Sequence, residues 1–383
     1  MGCRMLQSLS SEQEFFRETT AKFLGEQVPV AELRRRRDDP DGFDRAYWRR
    51  GADLGWTSLL VREEHGGGSI SGQGLVDLGL VAFEFGRHAA PGPLVATNLV
   101  AAALSETGGD GSGDVIGQLL SGASIGTWCL DERRHGAPYG RVTLDVSVEG
   151  SELVLHGVKR PVESAGCADH LLVTGRTGDG LTQVLVPSAT PGVSIEAMQT
   201  VDLTRRFSVV SFDHVRVPLG AAVGEPGQAG AQVEHQCAVA VAIANAESVG
   251  AMQAAFDMTV EWAFDRYSFG RPLASYQELK HRFADMKTWL EASHAVSDAA
   301  TAAVASGSPE AEELTSAAKA FIGEYGSALV QDCVQLHGGI GVTFEHDLHL
   351  YLRRHTVNRA LYGTPPEHRQ HLAGRYEQQE DAA

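Results

Sequence analysis

The feature that most constrains this chain is a change of hydrophobic period, made twice. Apolar residues recur at helical spacing over residues 9–24, 75–85 and 94–104. Near Ala123 the pattern shifts to short alternating runs at 143–148, 152–156, 170–173, 183–186 and 209–217, rich in β-branched residues and separated by Gly, Asp and Pro. From about Val233 the helical period returns. It holds through a long Ala-rich run without proline at 238–262, then through 276–305, 310–336 and 346–362, before Pro365-Pro366 stops regular helix. A chain that reads helix, strand and helix again is an α+β protein with segregated regions. The predicted domains are an N-terminal helical domain over residues 1–122, a middle β-barrel-like domain over 123–228 and a C-terminal helical bundle over 229–383.

Smaller signals fit this frame. Ser10 or Ser11 with Glu14 reads as a capping box ahead of the first helix. The glycine-rich stretch from Glu63 to Gly68 and the Gly/Asp-rich stretch from Glu106 to Gly113 read as loops. The long C-terminal helices, rich in small residues, suit packing against other subunits.

Composition excludes several functions. The net charge of −17 repels phosphate backbones, so no nucleic-acid partner is expected. The one basic run, Arg34 to Arg37, is followed by Asp38 and Asp39 and reads as a solvated helix end. The five cysteines are scattered without a CxxC pair, which argues against a disulfide framework or a zinc site and fits a reducing cytoplasm. No apolar run is expected to span a bilayer, and the first residues lack the apolar block of a signal peptide.

Three stretches carry the chemistry. Arg266-Tyr267-Ser268-Phe269-Gly270, followed by Leu273 and Gln277, places a long helix ending near Phe269 before a glycine turn. Such a turn presents a guanidinium, an aromatic ring and an amide together, a set that suits a dinucleotide pyrophosphate and ring. Gln335-Leu336-His337-Gly338-Gly339-Ile340-Gly341 lets a ligand approach the backbone closely. Leu361-Tyr362-Gly363-Thr364 forms a third turn. Taken singly, the first two have plain structural readings, as a helix corner with a surface arginine and as a flexible connection.

Taken together and in this order, the three turns resemble the acyl-CoA dehydrogenase family. The opening Leu9 to Gln13, the Glu63 to Gly68 loop and the Phe212 to Pro218 stretch are similar to that family as well, so the resemblance covers nearly the whole chain. It implies FAD as cofactor, with Arg266, Phe269, Gln277, Gln335, Gly338, Gly339 and Thr364 as contacts. It further implies that the arginine and Gly-Gly turns reach FAD across a subunit interface. The activity it implies is α,β-dehydrogenation of an acyl-CoA, in a homo- or hetero-tetramer, with electron-transfer flavoprotein as acceptor.

The departures are as informative as the matches. In the family a carboxylate abstracts the α-proton, and such a base must be held close and partly desolvated. At its usual turn this chain has Tyr362, roughly six pKa units too weak for the task. At the alternative helical position it has Ala240. Glu247 lies two turns further along, about 10 Å at 1.5 Å per residue, and is read as a structural ion pair before a base. Glu367 is read as a helix-start acid. On the flavin's own side, Trp128 to Gly136 lacks the family's Pro, second Gly and Ser, and Val162-Glu163-Ser164 replaces the segment that covers the flavin.

These departures resemble the actinobacterial heteromeric members, in which one subunit supplies the base and another completes the flavin site. Asp202 to Arg206 and Thr343 to Tyr351 are similar to that group too, which admits a bulky sterol-type acyl group. The His346-Asp347-His349 run is not expected to hold a metal, since residues so close on one helix do not all face one ion. A flavin monooxygenase or oxidase of the same superfamily, or a non-catalytic scaffold subunit, remains an alternative.

Overall fold

The structure, a computed structural model, describes residues 9–108, 112–132 and 142–381. The first eight residues, and Arg133 to Gly136 of the flavin-side stretch, lie outside the described residues. The N-terminal helices are α1 (Ser11–Gln27), α2 (Val30–Leu33), α3 (Arg45–Asp53), α4 (Gly74–Arg87), α5 (Leu94–Thr107) and α6 (Ser112–Leu120). The strands are β1 (Gly126–Cys129), β2 (Asp145–Glu149), β3 (Glu152–Glu163), β4 (His170–Thr177), β5 (Gly180–Pro187), β6 (Val193–Ala197), β7 (Phe207–Pro218) and β8 (Ala222–Val223). Helix α7 (Gly230–Asp265), a hairpin of β9 (Tyr267–Ser268) and β10 (Arg271–Pro272), and helices α8 (Gln277–Ala305), α9 (Ala311–His337), α10 (Leu348–Ala360) and α11 (Pro365–Asp381) complete the chain. The helix–strand–helix order and the α+β class follow the periods of the sequence.

By internal contacts the chain divides into two compact units. One is helical and comprises the described residues up to Arg34, Gly79–Ala90 and everything from Val241 onward. Within it α8 packs on α9, and α9 on α10 and α11. Helices α4 and α7 touch backbone to backbone: a Cβ on Gly86 would meet the Glu247 carbonyl oxygen at 1.9 Å, and one on Gly250 would meet that of Phe83 at 2.0 Å. No side chain fits at either crossing point.

The second unit, Arg35–Leu78 and Pro91–Ala240, holds the sheet. Its strand order is β6-β7-β3-β2-β4-β5-β8, with β1 pairing β4 in parallel. Leu171, Leu172 and Val173 are consecutive and fully buried, so both faces of β4 are covered. The arginine run forms a short 3-10 helix, Arg34–Asp38, rather than a freely solvated end. The Arg206 guanidinium donates to the carbonyls of Arg36, Arg37 and Asp39, satisfying groups that a helix end leaves unpaired.

Other expectations are corrected in detail. The first helix does carry a capping box, but Ser10 pairs with Gln13, the residue three positions on, and not with Glu14. The 106–113 stretch is helical at both described ends, in α5 and α6. Pro365 and Pro366 begin α11 instead of ending helix, because a first turn needs no amide donors. Helix α7 is long and apolar enough to cross a bilayer by length and composition, and 94% of its most apolar stretch is buried inside the protein, as in the core helix of a soluble fold.

Candidate functional site

Helix α7 ends at Asp265, earlier than its sequence pattern suggests, because the next residues form the β9–β10 hairpin. Its two loop residues, Phe269 and Gly270, both have positive φ, +50° and +80°. Two-residue hairpins favour that geometry, but normally with Asn or Gly in the first place. A phenylalanine there is strained, and its ring is 98% exposed. Phe264 and Tyr267 are exposed in the same short stretch. The hairpin itself is firmly set. The Tyr276 hydroxyl donates to the Ser268 carbonyl at 2.7 Å, and the Arg271 guanidinium lies 3.8 Å from the centre of the Tyr276 ring. This seats Gln277, exposed, as the first residue of α8.

The Gly-Gly turn belongs to the same end of the helical unit. Trp262, one turn before Arg266, stacks on His337, the last residue of α9, with ring centres 5.2 Å apart and planes 17° from parallel. The Arg266 guanidinium lies over that indole at 5.9 Å. Burial pulls the His337 imidazole below its ordinary pKa, and its Nδ1 bonds the Cys333 carbonyl at 2.8 Å. Gln335 is exposed on the last turn of α9. Beyond it Gly338 has φ +63°, and a Cβ on Gly338 or Gly339 would meet nothing within 4 Å. The Trp262–His337 stack was not singled out in the sequence. Its signal is an aromatic one helical turn before the arginine and a histidine directly before the glycine pair.

The structure therefore gathers Arg266, Phe269, Gln277, Gln335, Gly338 and Gly339 at one end of one unit. Among the described residues no carboxylate pairs with Arg266. An open guanidinium, two amides, an aromatic ring and an uncrowded glycine turn form a donor set that fits the pyrophosphate and ring of a dinucleotide.

The other predicted residues are placed differently. Tyr362 and Gly363 adopt φ +56° and +96°. The Tyr362 carbonyl bonds His368 Nε2 at 2.9 Å, and His368 Nδ1 bonds Ser316 Oγ. Burial lowers the His368 pKa to about 4, so the ring is neutral and its Nε2–H donates to that carbonyl. Thr364 donates from both its amide and its hydroxyl to the Glu367 carboxylate, each at 2.8 Å, which makes Glu367 part of the cap of α11. Ala240 is fully buried on α7.

Glu247, on the same helix, is bound by the Arg354 guanidinium at 2.6 Å and by the Asn358 amide at 2.9 Å. Arg354 is fully buried and also donates to the Ala89 and Ala90 carbonyls. The nearby Lys319 ammonium donates to the Asn358 carbonyl. In the histidine run, Asp347 pairs with Arg34, His346 Nδ1 accepts from the Leu348 amide, and His349 Nε2 bonds the Phe344 carbonyl.

In the sheet unit the segment at the flavin-covering position is closed. Val162, Glu163 and Ser164 are buried. Glu163 receives two parallel bonds from Arg205, each 2.6 Å, and its backbone carbonyl accepts from Thr127 Oγ1. The described part of the preceding stretch is likewise paired: Trp128 Nε1 donates to Thr174, and Glu132 holds the buried Lys159 at 2.7 Å. In the described part of this region, the side chains of Trp128, Glu132, Lys159, Glu163 and Arg205 are engaged with one another or with neighbouring residues.

Comparison with known proteins supplies the context. The model of the acyl-CoA dehydrogenase N-terminal domain matches residues 10–111, and that of the C-terminal domain matches residues 238–376. Acyl-CoA dehydrogenase IpdE2 of Mycolicibacterium smegmatis is 30% identical over 364 residues, covering 94% of this chain and 97% of that protein. The chain belongs to the acyl-CoA dehydrogenase family. Members are FAD-dependent oxidoreductases that act on the CH–CH bond of acyl-CoA thioesters. Among solved structures, a variant of the Tcur3481-Tcur3483 steroid ACAD has a TM-score of 0.88 at 26% identity, covering 98% of this chain and 100% of that one. The ChsE4-ChsE5 complex from Mycobacterium tuberculosis has a TM-score of 0.87 at 22% identity over 97% of this chain and 98% of that one, a likeness of fold.

Proposed function

We propose that this chain is the flavin-completing subunit of a heteromeric acyl-CoA dehydrogenase, with the proton-abstracting carboxylate supplied by a partner chain. The observation that carries the proposal is the state of Glu247: this acid, two turns beyond the usual helical base position, is held in a buried pair by Arg354 and Asn358. A base must be free to take a proton, and both Glu247 carboxylate oxygens are engaged by donors. Tyr362 and Ala240 offer no substitute. Bound FAD supplies the hydride acceptor. Toward it this chain contributes the Arg266 charge, the Gln277 and Gln335 amides, the Phe269 ring and the open backbone at Gly338 and Gly339. The steroid ACAD among its structural relatives supports a bulky, polycyclic CoA thioester as the substrate class.

The test is a visible spectrum of the chain purified alone and after co-expression with a second dehydrogenase chain. Flavin retained only on co-expression, and bleached anaerobically by an acyl-CoA, is the expected result. Stoichiometric flavin and full bleaching in the isolated chain would overturn the heteromeric reading. A Glu247→Gln variant that abolishes bleaching while keeping its fold and flavin would return the base to this chain.

A further inference from the structure

A group of metal-ligating side chains among the described residues lies on the sheet. Strand β3 pairs with β7 through Leu155↔Val215 and then Gly157↔Phe212, so one residue, His156, faces two, Asp213 and His214. This is a β-bulge, a device that re-aims side chains. His214 takes φ +50°, a left-handed conformation that histidine adopts more often than most residues but that glycine or asparagine fills with less strain.

The bulge brings three ligand groups together. His214 Nδ1 lies 2.9 Å from Asp213 Oδ1, and His156 Nδ1 lies 3.8 Å from the same oxygen. All three ligand atoms fall within 4.8 Å of one another. The two imidazoles face each other with ring centres 4.4 Å apart. Ligands held at about 2.0–2.2 Å around a tetrahedral ion sit roughly 3.4 Å apart, so small rotations of exposed side chains bring this trio to coordinating distance. Across the sheet, Asp145 on β2 is the register partner of His156.

We propose that His156, Asp213 and His214 form a binding site for a divalent transition-metal ion of the zinc class. The chemistry of the set favours such an ion over magnesium or calcium, which take oxygen ligands. All three residues are exposed, so water completes the coordination shell and exchange is rapid. Bound there, the ion clips the two strands together at the bulge where their hydrogen-bonded ladder is interrupted. This proposal does not depend on the flavin reading, because none of its residues serves the flavin surface.

The experiment uses the full chain without an affinity tag, stripped with chelator and titrated with zinc chloride by calorimetry. Saturation at one ion per chain is expected, unaffected by excess magnesium, with affinity falling about tenfold or more in His156→Gln and again in His214→Asn. Asparagine tolerates the left-handed backbone, so the second variant keeps the bulge even if the first disturbs it. Unchanged affinity and stoichiometry in the double variant would place the ion elsewhere and overturn the proposal. So would the absence of saturable binding up to about 1 mM zinc.

Discussion

The two regions that a flavin enzyme of this family would devote to its cofactor have diverged in opposite ways. At the end of the helical unit, Arg266, Phe269, Gln277 and Gln335 stand exposed, and Arg266 has no carboxylate partner among the described residues. In the sheet unit, Glu163 and Arg205 are buried and bind each other with two bonds of 2.6 Å. A motif names residues, but its pairing decides whether they are available. Open donors at one region and closed pairs at the other are what the proposed flavin-completing role requires.

The units also differ in how they carry buried ionisable groups, and acid should separate them most strongly. His294, His355 and His368, all in the helical unit, are each lowered by burial from 6.5 to about 4. A folded-state pKa below the unfolded value means that the unfolded chain binds more protons, so stability is full above pH 6.5 and falls as pH drops toward 4. Each ring contributes a loss of about 2 kcal/mol at pH 5, roughly 6 kcal/mol for the three. Hydrogen exchange at pH 7.5 and pH 5 should show the helical unit losing protection first. Equal loss in both units would mean that these rings are not buried neutral.

The next largest effect belongs to the sheet unit. Glu163→Thr removes the carboxylate that accepts two bonds from the buried Arg205 and should destabilise by about 3–5 kcal/mol in denaturant unfolding. Adding Arg205→Ser removes the buried charge as well and should recover much of that loss. A double variant that gains flavin would show that this pair alone closes the region. One that stays colourless assigns the closure to the wider stretch, with Trp128 and Glu132 included.

Much of this was legible in the sequence, and the limits have physical causes. Period alone placed α1, α4, α5 and α7 to α10 and the strands β2 to β5 and β7, because one-sided burial writes itself into spacing. The short strands β1, β6 and β8 and the hairpin strands β9 and β10 escaped because they carry too few alternating residues to show a period. The candidate flavin contacts were legible as turns, whereas the Trp262–His337 stack beside them depends on two helix ends meeting in space. Glu247 was visible as a lone acid on an apolar helix, but its partners Arg354 and Asn358 lie more than a hundred residues away. The His156–Asp213–His214 group was invisible for a similar reason: only the bulge between β3 and β7 unites it.

Two smaller effects probe the open region. Arg266→Ala should weaken flavin retention by about tenfold or more, roughly 1.4 kcal/mol or above, the scale of a charge-assisted phosphate contact, without lowering the stability of the chain. Loss of stability instead would mean that the guanidinium serves the Trp262 packing and not a ligand.

Phe269→Asn gives the sharpest sign test. Asparagine relaxes the left-handed backbone and installs the Asn-Gly pair that two-residue hairpins favour, so the unloaded chain should gain up to about 1 kcal/mol. The same change removes the ring from whatever covers it, so flavin retention in the loaded protein should fall. Stability and binding thus move in opposite directions, as expected where strain is kept at a functional surface. If both fell together, the 98% exposed ring would have to be supporting the fold itself, and the contrast between an open helical region and a closed sheet region would lose its clearest residue.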